Sequence, residues 1–326
     1  MNIYLAPMEG VLDYGLRDIL TRIEGVDCCV TEFIRVTDQL LPATVFRRLA
    51  PELEQGSQTY SGVPVLVQLL GNDPVMMGEN AVRAAEMGAP GIDLNFGCPA
   101  KTVNKSRGGA ILLKDPEEVH DITAGVSQAL AGSVPLSAKM RLGFQDKSLA
   151  IENAQALEAA GAMRLTVHAR TKVEGYKPPA HWEWIARIRE AVSIPVVANG
   201  DIWTVEDYHR CREVSGCDDV MIGRGLIANP FLAHAIRYGQ AGMDAASTWS
   251  QTCRLLHRYH HDVMARIEAR HVNGRTKQWL RMMQRHYPQA EALFADIRVE
   301  RDPQRVAVVL QAAVDALMID VDRHTF

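Results

Sequence analysis

No apolar run in this 326-residue sequence approaches the ~20 residues of a membrane-spanning helix. The amino-terminal MNIYLAPMEG has neither a basic n-region nor an apolar h-region, so no secretory signal is expected and the expected location is the cytoplasm. Six cysteines, at 28, 29, 98, 211, 217 and 253, form no CxxC pair. That excludes the usual zinc spacings and a disulfide framework, so reduced thiols and no metal site are expected. Heptad arrays and low-complexity tracts are also missing. A content of 47% hydrophobic and 23% charged residues excludes extended disorder and collagen-like repeats.

The net charge of −4 lacks the basic excess of a nucleic-acid binder, but the charge is unevenly spread. Residues 245–326 carry 12 Lys+Arg against 9 Asp+Glu, and 254–285 alone hold eight basic side chains and two acids. Such asymmetry points to a polyanion partner for the carboxy-terminal part, against the plain alternative of a solvated helical face.

Eight short β-rich apolar runs recur: 3–8, 28–33, 64–70, 91–97, 135–143, 164–170, 195–201 and 219–225. Helical patterns separate several of them, at 72–89, 115–130, 153–162 and 204–214, and Asp73-Pro74 and Asp115-Pro116 place a capping acid before a proline. Near-continuous apolar character marks strands buried on both faces. Eight such strands with crossovers predict an α/β fold, a (β/α)8 TIM barrel over 1–242. After about residue 240 the strand signal stops. A Gly/Ala/Ser/Thr-rich joint at 239–248 leads to a small helical bundle over 243–326. Its first helix is predicted to bury Leu255, Tyr259, Val263 and Ile267, with Arg254, Arg258 and Arg266 on another stripe. A second helix carries Trp279, Met282, Met283 and His286 on one side and Lys277, Arg281 and Arg285 on another, and two more follow near 288–296 and 303–319.

Functional groups of such barrels stand at the carboxy-terminal ends of the strands. Reading those ends gives Pro7-Met8-Glu9, Glu32 and Arg35, Gln68, Asn95 and Cys98, Lys139 and Arg141, His168 and Arg170, Asn199-Gly200-Asp201, and Gly223-Arg224-Gly225. Inward positions usually carry branched aliphatics, so Gln68, Lys139 and His168 require a reason, and a buried lysine calls for an anion. The last two turns suit a phosphate gripped by backbone N–H groups, against ordinary βα turn chemistry. Gln68 suits the edge of a flat heterocycle. Lys139 suits negative charge on a reduced flavin or, alternatively, a Schiff base. Cys98, an unperturbed thiol mostly protonated at pH 7, suits a general acid, against the bland reading of a structural loop cysteine. The following KTVNKSRGG (101–109) reads as a mobile cationic lid.

The segments APMEGVLD (6–13), DLNFGCPAKTVNKSRGGAILL (93–113), KMRLG (139–143), VHARTK (167–172), ANGDI (198–202) and MIGRG (221–225) together resemble the bacterial tRNA-dihydrouridine synthases. The resemblance runs along the whole barrel, and TEFIRV (31–36) with RTKQWL (275–280) look like the C subfamily, which modifies uridine 16. It implies an FMN-dependent enzyme using NADPH, with a carboxy-terminal tRNA-binding domain. Carried over residue by residue, Cys98 is the proton donor and Asn95 contacts the uridine. Pro7, Met8, Glu9, Gln68, Lys139, His168, Asn199, Gly200, Asp201, Gly223 and Arg224 contact FMN. Arg35, Tyr176, Arg275, Lys277 and Arg298 carry the tRNA signature. Phe96 departs from the smaller residue frequent at its place, and the lid is more basic than the family's pattern. Without the resemblance, Tyr176 is equally a loop tyrosine packed on Pro178-Pro179, and Arg275 and Lys277 are equally solvated helix residues. A monomer is expected, since tRNA needs both domains along one face. The rival function is a small-molecule flavin oxidoreductase of the dihydroorotate dehydrogenase type, for which the basic tail has no use.

Overall fold

A computed structural model of the chain describes residues 1–239 and 243–323. The joint expected at 239–248, and with it the boundary expected between 242 and 243, falls partly on 240–242, outside the described residues. The strands are β1 (Ile3–Leu5), β2 (Cys28–Val30), β3 (Ile34–Arg35), β4 (Val65–Leu70), β5 (Ile92–Phe96), β6 (Leu136–Arg141), β7 (Arg164–His168), β8 (Val196–Asn199) and β9 (Val220–Ile222). The ladders between them are parallel. Eight close into a ring, β1-β2-β4-β5-β6-β7-β8-β9 and back to β1, while the two-residue β3 lies outside it against β4. The expected barrel is therefore present, and each of the eight apolar runs contains one of its strands.

The helices are α1 (Tyr14–Thr21), α2 (Ala43–Leu49), α3 (Pro74–Glu86), α4 (Lys101–Lys105), α5 (Pro116–Leu130), α6 (Ala150–Ala159), α7 (Trp182–Ala191), α8 (Val205–Ser215), α9 (Arg224–Ala228), α10 (Leu232–Tyr238), α11 (Ala245–Met264), α12 (Ala269–Met283), α13 (Gln289–Ile297) and α14 (Pro303–Arg323). No helix among the described residues is long and apolar enough to cross a membrane. The capping acids act as expected. Asp73 accepts from the N–H groups of Val75 and Met76 at 2.9 Å, and Asp115 from those of Glu117 and Glu118 at 3.1 and 3.3 Å.

Two compact units result: Met1–Tyr14 with Val26–Ile222, and Gly15–Gly25 with the residues from Gly223 onward. In the first, side-chain alternation divides the strands into a face toward the helices and a face toward the barrel axis. One sector of the interior is apolar, with Tyr4, Cys28, Val30, Leu66, Val197 and Met221 in one buried cluster. On β4 to β8 the same parity instead carries Gln68, Asp93, Asn95, Ser137, Lys139, Arg164, Thr166, His168 and Asn199. Arg164 reaches over the interior from β7 to β1, its guanidinium 4.7 Å from the centre of the Tyr4 ring and 3.3 Å from its hydroxyl.

The second unit packs α11 on α12 and α14 around the fully buried Trp279, whose indole N–H donates to the Ile227 carbonyl at 3.1 Å. Here the predicted apolar stripe shifts. α11 buries Cys253, Leu256, Tyr259, His260 and Val263, whereas Leu255 is half-buried and Ile267 lies exposed beyond the helix end. The reason is that Thr248, Thr252 and His260 face inward with their polar atoms satisfied, the threonines on the Tyr287 hydroxyl at 3.0 Å and the histidine on Thr276 and Pro303 at 2.8 Å.

Asp115→Ala removes a cap that holds two N–H groups. It should cost about 1 kcal/mol and lower the melting temperature of the barrel by about 2–4 °C, with Asp115→Ser close to wild type in the same calorimetric scan.

Candidate active site at the mouth of the barrel

Cys98 stands on the turn that leaves β5. Asn95, the last inward residue of that strand, folds its side chain onto the turn, and its Oδ1 accepts from the backbone N–H groups of Gly97 and Cys98 at 2.9 and 2.8 Å. The residue is 8% exposed and packs against Phe33, Leu70 and Val103. Burial pushes its thiol above its ordinary value; the hydrogen bond from the Ala100 backbone opposes this without overcoming it. Cys98 therefore keeps its proton at neutral pH. On its other side Gly109, at φ +66°, sits so close that a Cβ there would lie 2.9 Å from the Cys98 Cβ and 2.8 Å from its carbonyl oxygen. The segment expected to be a mobile lid starts as a helix: α4 is tied back by Asn104, whose Nδ2 donates to the carbonyls of Cys98 and Ala100 at 2.9 and 2.7 Å.

Gln68 and Lys139 sit deeper. Gln68 is fully covered by protein: its Nε2 donates to Asp93 at 2.7 Å and its Oε1 accepts from the Asn95 Nδ2 at 2.8 Å. Lys139, half-buried and in register with Asn95, has a neutral partner, the Asn199 Oδ1 at 3.1 Å. Among the described residues no carboxylate stands within salt-bridge distance of its Nζ. Loss of hydration and then repulsion by Arg141 pull the ammonium down to about 8, against the attraction of Asp93. Asn199 is held in turn by its Nδ2, which donates to the Met221 carbonyl at 2.7 Å.

The β8 turn follows. Gly200, at φ +130°, accepts from the Trp182 indole N–H at 2.8 Å. Asp201 occupies the left-handed region at φ +52° and is held there by an ion pair with the fully buried Arg170, which also donates to the Lys177 carbonyl at 2.6 Å. Pro7 and Met8 are half-buried after β1, Glu9 is exposed, and the adjacent Gly10 N–H donates to Glu32. Gly223 and Arg224 follow directly on β9, whose last residues pair with those of β8 and β1.

A third group frames the mouth. Arg141, 3% exposed, donates to the carbonyls of Gly97 at 2.8 Å, Thr171 at 3.1 Å and Gly175 at 2.9 Å. It thereby joins the cysteine turn to the loop after β7. That loop presents Tyr176, 53% exposed, its ring 5.2 Å from the Arg141 guanidinium and edge-on to His168 at 6.0 Å. Tyr176 is thus supported by Arg141 and His168. Glu174 organises the loop from beneath, accepting from the Thr171 N–H and hydroxyl, from His181 and from Lys147 at 2.6 to 3.3 Å. Burial pulls this carboxyl up, but the four hydrogen bonds outweigh it and hold it down at about 2.

The chain matches the family Dihydrouridine synthase (Dus) over residues 4–316. It belongs to the dihydrouridine synthase family. The tRNA-dihydrouridine(16) synthase of Pseudomonas putida is 55% identical over 318 residues, covering 97% of this chain and 98% of that protein. That of Neisseria meningitidis is 45% identical over 313 residues, with 95% and 94% covered. Among solved structures, histamine dehydrogenase from Rhizobium sp. 4-9 shares the fold at a TM-score of 0.54 and 16% identity, over 74% of this chain and 46% of that one. DHODH from Eimeria tenella does so at 0.54 and 12% identity, over 72% and 79%.

Within this dihydrouridine synthase, Arg35 lies exposed on β3 and Tyr176 on the β7 loop, both in the first unit, while Arg275, Lys277 and Arg298 belong to the second. Arg298 is exposed at the end of α13 and Arg275 half-buried on α12. Lys277 is engaged by the protein itself: its Nζ donates to the Glu300 carbonyl at 2.6 Å, beside Asn273 at 3.2 Å. Sequence reading noted Arg141 and Arg170 without giving them a role, and passed over Asp93, Ser137 and Glu174. The signal for the first two of these was parity, since Asp93 precedes Asn95, and Ser137 precedes Lys139, by two residues.

Because the Glu174 carboxyl is depressed from 4.5 to about 2, its contribution to stability is fully present above pH 4.5. It is lost as pH falls through about 2. Glu174→Gln should lower the melting temperature at pH 7, and the difference from wild type should vanish in scans taken toward pH 2.

Proposed function

We propose that this chain reduces the C5–C6 double bond of uridine 16 in the D-loop of tRNA, giving 5,6-dihydrouridine, with FMN bound at the barrel mouth and NADPH as the source of electrons. The observation that carries the reading is Cys98: a thiol held protonated by burial and fixed on a turn by Asn95, beside a mouth lined with cation and amide groups. Support for the target nucleotide comes from the relatives named tRNA-dihydrouridine(16) synthase, which match over nearly the whole of both chains.

The residues present fit FMN. Lys139 is a half-buried cation whose partner is a neutral amide, so an anionic ligand would supply the charge it lacks. Gly200 leaves the β8 turn without a side chain, and Gly223 does the same after β9, as backbone donation to a phosphate requires. Pro7, Met8, Glu9, Gln68, His168, Asn199, Asp201 and Arg224 complete the assigned set. When bound, FMN supplies hydride equivalents to uracil C6. Cys98 donates the proton that completes C5, and Asn95 meets the base. Tyr176, more than half exposed and braced by Arg141, offers a face on which a base can stack. The base is stacked in folded tRNA and must leave the stack to reach Cys98, so affinity must come from phosphate contacts elsewhere. Arg275, Lys277 and Arg298 in the helical part, with Arg35 on the barrel, are assigned that work.

Position-resolved mapping of dihydrouridine in unmodified tRNA, incubated with protein, FMN and NADPH, tests the function. Signal at uridine 16 alone is expected, and Cys98→Ala should keep FMN and tRNA binding while losing about 10²- to 10⁴-fold in turnover, the usual contribution of a positioned acid. Signal at another D-loop uridine would refute the assignment of Arg35, Arg275 and Lys277. No signal with FMN bound and reducible would favour a small-molecule flavin oxidoreductase. Lys139 gives an independent check. FMN affinity of the stripped protein should weaken as pH rises through about 8 or somewhat above, as the ammonium is lost. Lys139→Met should bind more weakly at pH 7 and show no such step in fluorescence titrations.

A further inference from the structure

Four hydrogen bonds run from the barrel interior to the cysteine. Asp93, fully buried on β5, accepts from Ser137 Oγ at 2.6 Å and from Gln68 Nε2 at 2.7 Å. Gln68 Oε1 accepts from Asn95 Nδ2 at 2.8 Å, and Asn95 Oδ1 accepts from the Cys98 N–H at 2.8 Å. A carboxamide is nearly symmetric in shape, so packing alone does not choose which end is oxygen. Each link here has one workable sense. The backbone N–H groups of Gly97 and Cys98 need an oxygen from Asn95, so Asn95 must offer its NH₂ to Gln68. Gln68 must then present oxygen to Asn95 and NH₂ inward, where an acceptor oxygen is required. The Asp93 carboxyl supplies it. Were Gln68 to flip, its NH₂ would face the Asn95 NH₂ and its oxygen would face the Asp93 carboxyl, at a cost comparable to leaving donors unpaired.

We propose that Asp93 is a positioning residue for the cysteine: as the acceptor that ends this chain, it fixes the sense of Gln68 and Asn95 and so holds the Gly97-Cys98 turn in place. The inference rests on the reading of Cys98 as proton donor. Its central measurement does not, because the exposure of a thiol can be followed in the protein without flavin or tRNA.

The test is the alkylation rate of Cys98, followed by peptide mass spectrometry with the other buried cysteines as internal controls, together with turnover on tRNA. Asp93→Leu should speed Cys98 alkylation several-fold while leaving Cys211 and Cys253 unchanged. Turnover should fall by about 10- to 100-fold, as small misplacements of a reacting group do, with KM for tRNA little changed. Asp93→Asn, which still offers a carbonyl oxygen to Gln68 and an NH₂ to Ser137, should return both readouts to near wild type. Should the leucine variant not fold, a charge swap decides the matter. Gln68→Glu alone sets carboxylate against carboxylate and should loosen Cys98. Gln68→Glu with Asp93→Asn rebuilds a chain in which the carboxylate, now on β4, accepts from both sides, and should restore the slow alkylation whatever it does to flavin binding. A folded Asp93→Leu protein with wild-type alkylation and turnover would overturn the proposal. So would an asparagine variant no better than leucine, or a swap that restores nothing.

Discussion

Lysine, arginine and aspartate enclosed in a barrel interior need hydrogen-bond partners, because desolvating an unpaired charge or donor is costly to a marginally stable fold. In this protein that requirement organises the first unit. The apolar side of the barrel closes in the usual way, with Tyr4, Cys28, Leu66 and Met221 filling space. The opposite side is filled by a connected polar set in which Asp93, Gln68, Asn95 and Ser137 satisfy one another and Lys139 leans on Asn199. Polar filling of this kind sacrifices hydrophobic burial but defines single orientations for side chains that packing alone would leave ambiguous.

The same requirement explains how a loop site can be rigid. Cys98 lies on a turn, yet its backbone is held by Asn95, by the Gly97 carbonyl's bond from Arg141 and by Asn104 from α4. Arg141 is the link between two parts of the mouth: it fixes the cysteine turn at one end and the Tyr176 loop at the other, using carbonyls as acceptors in place of a carboxylate. Its charge adds to burial, the larger cause, in depressing the Lys139 ammonium, while Glu174 anchors the far side of the Tyr176 loop. The Cys98 turn and the Tyr176 loop are therefore mechanically coupled through the hydrogen bonds of Arg141.

In the helical unit the constraint takes a milder form. α11 faces its neighbours with threonine and histidine among the aliphatics, each paired with a defined partner, and Lys277 secures the Glu300 carbonyl. Lys277, which we propose meets tRNA, thus carries a structural duty in the helical unit as well.

Strand order, the barrel, the acid-proline helix starts and the position of Cys98 were legible in the sequence, because each rests on local chemistry: unbroken apolar runs, an Asp before Pro, a motif bounded by glycines. The resemblance of those motifs to the dihydrouridine synthases named the family for the same reason. What the sequence alone left open were relations between residues distant along the chain. The Gln68–Asp93 bond, the reach of Arg141 to Gly175, the Arg170–Asp201 pair and the inward turn of Thr252 and His260 join positions that no periodicity connects. Leu255 and Ile267 fit a four-residue spacing as well as the residues that α11 buries. Only the packed neighbours, by offering hydrogen-bond partners to one face and not the other, decided which side of the helix turns inward.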